Sequence, residues 1–166
     1  LTTPGTATGS AALTGPFTAE TRGFVPVAQD LPFTVGFQND EAAPTRTSEV
    51  RVVVNLDDRF DPRTFRLGDI KVGDITIDVP DDRANFQREL DYTQTRGFIV
   101  RVSAGIDLAS HSATWLVQAI DPTTGELVQD PNRGLLKPNN ASGEGAGLVS
   151  YTVHVADGTA TGEKVR

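Results

Sequence analysis

Alternation of apolar and polar side chains constrains this chain more than any other sequence feature. Between Gly97 and Leu108, apolar residues occupy every second position. They are Phe98, Val100, Val102, Ala104, Ile106 and Leu108. Successive side chains of a β-strand point to opposite faces, so a period of two is typical of a strand with one face buried and one in water. The chain is therefore expected to bury its apolar groups between sheets.

The same alternation returns in four other segments. Their apolar positions are Leu31, Phe33, Val35 and Phe37; Val50, Val52, Val54 and Leu56; Ala113, Trp115, Val117 and Ala119; and Val149, Tyr151, Val153 and Val155. Two shorter strands, 65–72 and 75–79, flank Gly73, whose tolerance of positive φ favours a hairpin turn there. The charged stretch 57–62 predicts a turn in which Asp61 and Pro62 act as breakers, so the strand before it is expected to end near Leu56.

Residues 81–90 leave a helical alternative open. Phe86 and Leu90 are four positions apart, and the acidic residues Asp81 and Asp82 would suit a helix N-terminus. Short strands separated by Gly, Pro, Asp and Asn indicate an all-β fold for the remainder. The predicted fold class is an immunoglobulin-like antiparallel β-sandwich of about seven to nine strands.

The chain divides into two parts by composition. Residues 1–23 consist mainly of Thr, Gly, Ala, Ser and Pro, which bury too little apolar surface to offset the entropy of ordering. They are predicted to form a linker or an extended edge segment, in which Leu13 and Phe17 could dock on a neighbouring surface. Residues 24–166 are predicted to form one β-sandwich domain.

Charge and composition exclude several classes of function. The sequence has 15 Lys and Arg against 22 Asp and Glu, for a net charge of −7, so it should repel nucleic acid and anionic lipid surfaces. Its apolar runs are far shorter than the roughly 20 residues of a membrane-spanning helix. The absence of cysteine excludes disulfides, thiolate catalysis and Cys-ligated metals. We expect neither nucleic acid binding nor membrane insertion.

Catalytic motifs are not evident in the sequence. His111 lies in an expected turn and His154 on the polar side of an expected strand. Neither a G-x-S-x-G nucleophile elbow nor an H-E-x-x-H zinc motif occurs. The sequence therefore gives hydrolase and zinc chemistry little support, and we expect a protein that is not an enzyme.

Three loops carry oxygen donors that could hold Ca²⁺, which takes six to eight oxygen ligands in flexible geometry. The candidate ligands are Asp57, Asp58 and Asp61; Asp121, Glu126 and Asp130; and Asn139 and Glu144. None of these groups has the spacing of an EF-hand. Asp and Asn also begin turns by binding their own backbone, so a purely structural role stays open beside the calcium site.

A carbohydrate-binding module is the alternative function. Sugar sites usually present exposed aromatic rings, whereas Trp115 and Tyr151 fall on the apolar side of alternating strands. Tyr92 is the one aromatic residue whose face the pattern leaves undecided. The sugar-binding hypothesis rests mainly on analogy with other β-sandwiches.

A set of motifs in fixed order lies between Phe65 and Val165. The motifs are Phe65-x-Leu67-Gly68-x-Ile70-x-x-Gly73-Asp74; Val79-Pro80; Ala119-Ile120-Asp121-Pro122-x-Thr124-Gly125-Glu126; Asp130-Pro131-x-x-Gly134-Leu135-Leu136-x-Pro138-Asn139; Gly143-x-Gly145-x-Gly147-x-Val149-Ser150-Tyr151-Thr152-Val153; and Thr161-Gly162. With Pro32-Phe33-Thr34-Val35-x-Phe37-x-Asn39-Asp40 upstream, they resemble an uncharacterised repeat domain of large bacterial surface and secreted proteins. The resemblance implies an immunoglobulin-like extracellular stalk or adhesive module, with no catalytic residue.

The sequence departs from that family at both ends. The family's short acidic-Pro-Asn-Lys opening segment is absent, and the family continues after its Thr-Gly turn with one more strand, where this sequence stops at Val165-Arg166. A sandwich without its last strand would expose an unpaired edge and an apolar trench. We expect the N-terminal segment or a strand donated by a neighbouring molecule to fill it. Expected partners are therefore neighbouring domains, a complementing β-strand, a glycan or another surface protein.

Overall fold

A computed structural model of the chain describes residues 11–14 and 30–157. Its strands are β1 (Ala11–Thr14), β2 (Leu31–Gln38), β3 (Glu49–Asn55), β4 (Phe60–Val72), β5 (Ile75–Ile77), β6 (Asn85–Tyr92), β7 (Phe98–Asp107), β8 (Ser112–Ile120) and β9 (Ala146–Val155). The described part of the chain contains no helix, and so none long and apolar enough to cross a membrane.

The strands form two antiparallel sheets that pack face to face. Sheet I has the order β1-β2-β9-β4-β5, and sheet II has the order β3-β8-β7-β6. The prediction of an all-β antiparallel sandwich of about seven to nine strands is confirmed, with nine strands in the described residues. The sheets pack because their central strands bury alternate side chains. In β7, Phe98, Val100, Val102 and Ala104 are buried, and the residues between them are more exposed.

The register of the strands defines two ends of the sandwich. We call the end where β2 stops and β9 starts the loop end, because Gln38 pairs with Ala146 there. It carries the loops 39–48, 73–74, 93–97 and 121–145. The opposite end, where Leu31 pairs with Val153, is the exit end, and it carries the loops 56–59, 78–84 and 108–111.

Aromatic rings from both sheets meet in the core. Trp115 of β8 lies 5.9 Å from the ring of Phe65 in β4 and 5.8 Å from that of Tyr151 in β9. Tyr151 also stacks on Phe33, with 5.3 Å between the ring centroids. Trp115 and Tyr151, which the alternation assigns to the core, are 1% and 3% exposed.

Two local expectations differ from the structure. Residues 85–92 form a strand, so the helical alternative is wrong; Phe86 and Leu90 share a face in either geometry, because a spacing of four fits both periods. The turn predicted in the charged stretch 57–62 is present, but the expectation that Asp61 and Pro62 break the chain there is wrong, because both lie within β4. The chain turns at residues 58–59, and β4 passes through Pro62 where its register with β9 shifts, so the missing N–H is not needed in the ladder.

The hairpin expected around Gly73 is present. β4 pairs with β5 from Ile70 opposite Ile77 to Val72 opposite Ile75, and Gly73 adopts a φ of 61°. The second strand of the hairpin ends at Ile77 rather than at Val79. Val79 is nevertheless buried, so its apolar side chain still contributes to the core.

The N-terminal segment supplies the edge strand of sheet I. Ala11–Thr14 pairs with β2 and is exposed along its whole length, and the Thr14 hydroxyl donates a hydrogen bond to the Thr34 carbonyl at 3.2 Å. Leu13 is 55% exposed. The expected docking of Phe17 and the expectations for Thr161, Gly162 and the residues after them lie outside the described residues.

Candidate functional site

The loop end carries the two longest loops between consecutive strands from β2 to β9, residues 39–48 and 121–145. Backbone hydrogen bonds join these two loops. Thr47 donates to the Leu136 carbonyl at 2.8 Å, and Leu135 donates back to the Thr47 carbonyl at 2.7 Å. Arg46 donates to the Pro131 carbonyl at 3.1 Å. The loop 121–145, which we call the long loop, therefore pairs with the loop 39–48 through an antiparallel bridge between Leu136 and Thr47.

Asn39 anchors the two loops from inside. Its side chain is 1% exposed, and Nδ2 donates to the carbonyls of Thr45 at 3.2 Å and Leu136 at 3.4 Å. Its backbone N–H donates to the Gly145 carbonyl at 2.9 Å. The buried amide gives the Thr45 carbonyl a donor and adds a second, longer hydrogen bond to the Leu136 carbonyl, which also accepts from Thr47. Asn39 is identifiable from the sequence only as part of a motif, because its partner Leu136 is far away along the chain.

Gly145 allows the loop to close on itself. A Cβ there would lie 2.3 Å from the carbonyl oxygen of Lys137 and 2.6 Å from the backbone of Asn139. Asn139 uses its Oδ1 to accept the Gly145 N–H at 3.1 Å, and its Nδ2 donates to Gln38 Oε1 at 2.9 Å. Asn139, a candidate calcium ligand, is therefore occupied as a structural clamp in this geometry.

Ion pairs tie the neighbouring turns of the loop end. Arg96 pairs with Asp74, and its guanidinium lies 5.8 Å from the centre of the Tyr92 ring. The hydrogen bond from Arg96 lowers the pKa of the Asp74 carboxyl. These contacts connect the turn between β4 and β5 with the turn between β6 and β7. Tyr92, whose face the sequence left undecided, packs half-buried against the core.

Glu144 is held by the loop that contains it. Lys137 Nζ lies 2.8 Å from Glu144 Oε2, and Asn140 also donates to this carboxylate. Both hydrogen bonds lower the pKa of Glu144, that from Lys137 more strongly. A calcium ion at Glu144 would have to compete with this ammonium group.

The second set of candidate ligands follows β8. Asp121 Oδ1 accepts hydrogen bonds from the Thr123 hydroxyl at 2.6 Å and the Thr123 N–H at 2.8 Å, and these lower the pKa of Asp121. Asp130 Oδ1 accepts the N–H of Asn132 at 2.9 Å. Glu126 is exposed, and its backbone carbonyl accepts the Asp121 N–H. All three help to shape turns of the long loop, the first two through their carboxylates.

The third set lies at the exit end. Asp57 Oδ1 accepts the N–H of Arg59 at 3.0 Å, and Asp58 is fully exposed, 3.8 Å from His111 Nδ1. Asp61 makes hydrogen bonds of 3.0 and 2.9 Å with the Arg63 guanidinium, which lower the pKa of Asp61. The acidic loops proposed as calcium sites therefore fall at opposite ends of the sandwich.

No three His, Asp or Glu side chains among residues 11–14 and 30–157 converge in a way that could hold a metal ion. Each of the eight candidates has a backbone or side-chain contact described above. The calcium site stays a prediction, and melting curves in calcium and in chelator test it, because an ion bound only by the native state raises the melting temperature.

The two histidines lie at the exit end. His154 Nε2 is 2.5 Å from Asp30 Oδ1, and this pair continues the register of β2 and β9 by one position. His111 adopts a φ of 52° in the turn before β8, where its carbonyl accepts the N–H of Leu56. The hydrogen bond of His154 extends the pairing of β2 with β9 by one position, and that of His111 extends the pairing of β3 with β8 by one position. The Asp30 contact was missed because Asp30 precedes the alternating run.

Comparisons with protein-family models, with curated proteins and with solved structures give no match.

Proposed function

We propose that this chain is a non-catalytic structural module of a secreted or cell-surface bacterial protein, acting as a spacer or connector between neighbouring domains. The extracellular bacterial setting comes from the sequence resemblance. The mechanical role is supported by the path of the chain through the sandwich.

The observation that carries the proposal is the position of the first and last described strands. β1 is antiparallel to β2, with Ala11 opposite Phe37, so the chain enters the fold at the loop end. β9 finishes at Val155 opposite Phe60, so the chain leaves at the exit end. A module that the chain enters at one end and leaves at the other can be joined end to end with its neighbours.

The loop end supports a stiff module. Its carboxylates are used in turns and ion pairs, such as Asp121 with Thr123 and Glu144 with Lys137. Asn39 and Gly145 fix the long loop to the body of the sandwich. A loop fastened in this way transmits force between domains with little local opening.

Glycan binding has less support in the described residues. Their exposed large apolar side chains are Leu13, Val53, Leu108 and Leu148, none of which is aromatic. Adhesion through protein surfaces remains within the proposal, and the exposed strand edges offer the place for it.

Small-angle scattering on a fusion of two complete copies tests the spacer role. An end-to-end arrangement should lengthen the particle by at least one strand, about 34 Å for a ten-residue strand such as β9. The matched control is a fusion in which the second copy starts at Asp30 and so lacks β1. Its second copy would be entered at the exit end, so the particle should fold back and be shorter. Equal lengths for both fusions would contradict the proposal.

A further inference from the structure

Strand β1 is attached to the described part of the sandwich through β2. It is the edge strand of sheet I, and all four of its residues are exposed. Leu13, which is opposite Val35 in the register, is still 55% exposed. Beyond the backbone ladder, the Thr14 hydroxyl donates a hydrogen bond to the Thr34 carbonyl at 3.2 Å. Because β1 buries little apolar surface, releasing it from β2 costs mainly the hydrogen bonds between the two strands.

The chain between β1 and β2 is longer than their pairing requires. Thr14 is opposite Thr34, three positions along from Leu31, where β2 starts. With about 3.4 Å per residue and about 4.8 Å between strands, Thr14 and Leu31 are about 11 Å apart. The residues 15–30 that connect them have a maximum span of about 55 Å. This connection is long enough for residues 11–14 to reach β2 of a neighbouring molecule.

The edge of β2 offers residues 11–14 the same contacts in either chain. A second copy brings the same side chains, so Leu13 again lies opposite Val35 and the Thr14 hydroxyl again donates to the Thr34 carbonyl. Only the effective concentration of the segment then separates pairing within one chain from pairing between two chains. For a segment tethered by a chain of this length, that concentration is on the order of millimolar.

We propose that β1 is an exchangeable strand, and that the edge of β2 is a binding site for residues 11–14 of a second copy. The bound segment runs antiparallel to β2, as β1 does, and becomes the fifth strand of sheet I in the copy that receives it. Such an exchange joins copies through contacts that each copy already makes. The inference rests on the proposed connector function for its setting and deepens it by naming the partner.

Disulfide trapping between two variants of the full chain tests the inference. The chain contains no cysteine, so an introduced thiol has no other thiol beside it in its own molecule. Ala12 is directly opposite Gly36, and a Cβ at Gly36 would have its nearest neighbour, the Ala12 carbonyl oxygen, at 3.9 Å. Opposite Cβ atoms are about 4.5 to 5.5 Å apart, which a small shift brings within disulfide range. Mixing Ala12→Cys with Gly36→Cys in a glutathione buffer, at a protein concentration on the order of 1 mM, should therefore give a linked heterodimer.

The control mixture is Ala12→Cys with Val53→Cys. Val53 is 54% exposed but belongs to β3 of sheet II, which does not pair with β1. The heterodimer yield should be at least about tenfold higher in the test mixture, because only exchange holds its two thiols in register. Thr14→Cys with Thr34→Cys, which are also directly opposite, repeats the test if one of the first variants does not fold.

A single chain with both Ala12→Cys and Gly36→Cys should close its disulfide internally and no longer exchange. Equal heterodimer yields in the test and control mixtures would overturn the inference. Failure of the double variant to close its disulfide would remove the register between β1 and β2, and would overturn it as well. Equal yields together with an elongated two-copy fusion would overturn the exchange and leave the spacer role standing.

Discussion

The indole of Trp115 meets the ring of Phe65 edge to face, at 62° and 5.9 Å, and this contact joins the two sheets. Replacing Trp115 by alanine should lower the free energy of unfolding by about 3 to 5 kcal/mol, through lost burial and the cavity left behind. Urea denaturation measures it. Leu148→Ala, at an exposed position, should change stability by less than about 0.5 kcal/mol. Similar midpoints for the two variants would place Trp115 outside the core.

Gly145 and Gly36 form a matched pair of substitutions. Gly145→Ala would push a Cβ to 2.3 Å from the Lys137 carbonyl, whereas a Cβ at Gly36 has its nearest neighbour at 3.9 Å. We expect Gly145→Ala to lower the melting temperature and loosen the long loop. Gly36→Ala should be neutral or slightly stabilising, because it restricts the unfolded chain. Calorimetry measures the melting temperatures of both variants. An unchanged melting temperature in Gly145→Ala would mean that the long loop can shift to make room for the Cβ.

Regular alternation made much of this fold predictable. The residues of β7, β8 and β9 were assigned correctly because each strand buries alternate side chains. Phe86 and Leu90 were ambiguous because their spacing fits two periods, and Pro62 misled because a register shift lets proline remain inside β4. The role of Asn39 as a buried anchor of the two loops could not be predicted. Its partner Leu136 lies far along the chain, and the alternation of apolar residues carries no information about so distant a contact.

Alkaline pH should destabilise the fold through Tyr151. Burial raises the pKa of Tyr151 to about 12, from an ordinary value of 10.0. Between these values the native state retains a proton that the unfolded state releases, so stability is complete below pH 10 and falls as pH rises toward 12. The loss should reach about 3 kcal/mol. Urea midpoints from pH 9 to 11.5 measure it, and Tyr151→Phe should flatten the curve. An equally steep curve for Tyr151→Phe would assign the loss to other groups.

Asp121 should titrate below its ordinary pKa. The hydroxyl and N–H of Thr123 lower the pKa of the Asp121 carboxyl from 3.8. Its contribution to stability is therefore present above pH 3.8 and is lost as pH falls through the native pKa. NMR titration of the carboxyl carbon measures this value, and Thr123→Val should move it back up by removing the hydroxyl donor. An unchanged titration would show that the hydroxyl does not stabilise the carboxylate.

The interior position of Asn39 predicts a large effect from a small change. Asn39→Ala would remove the donor to the Thr45 and Leu136 carbonyls. In a site where Asn39 is 1% exposed, the Thr45 carbonyl would lose this donor, while the Leu136 carbonyl would keep its hydrogen bond from Thr47. Leaving buried groups unsatisfied costs about 1 to 3 kcal/mol, so the free energy of unfolding should fall by about that amount. Asn132→Ala removes an exposed amide from the same loop and should cost less than about 0.5 kcal/mol. If hydrogen exchange in the long loop accelerates in Asn39→Ala and not in Asn132→Ala, Asn39 is the clamp that holds the loop end together. Equal exchange in both variants would assign that role to the backbone hydrogen bonds of Thr47 alone.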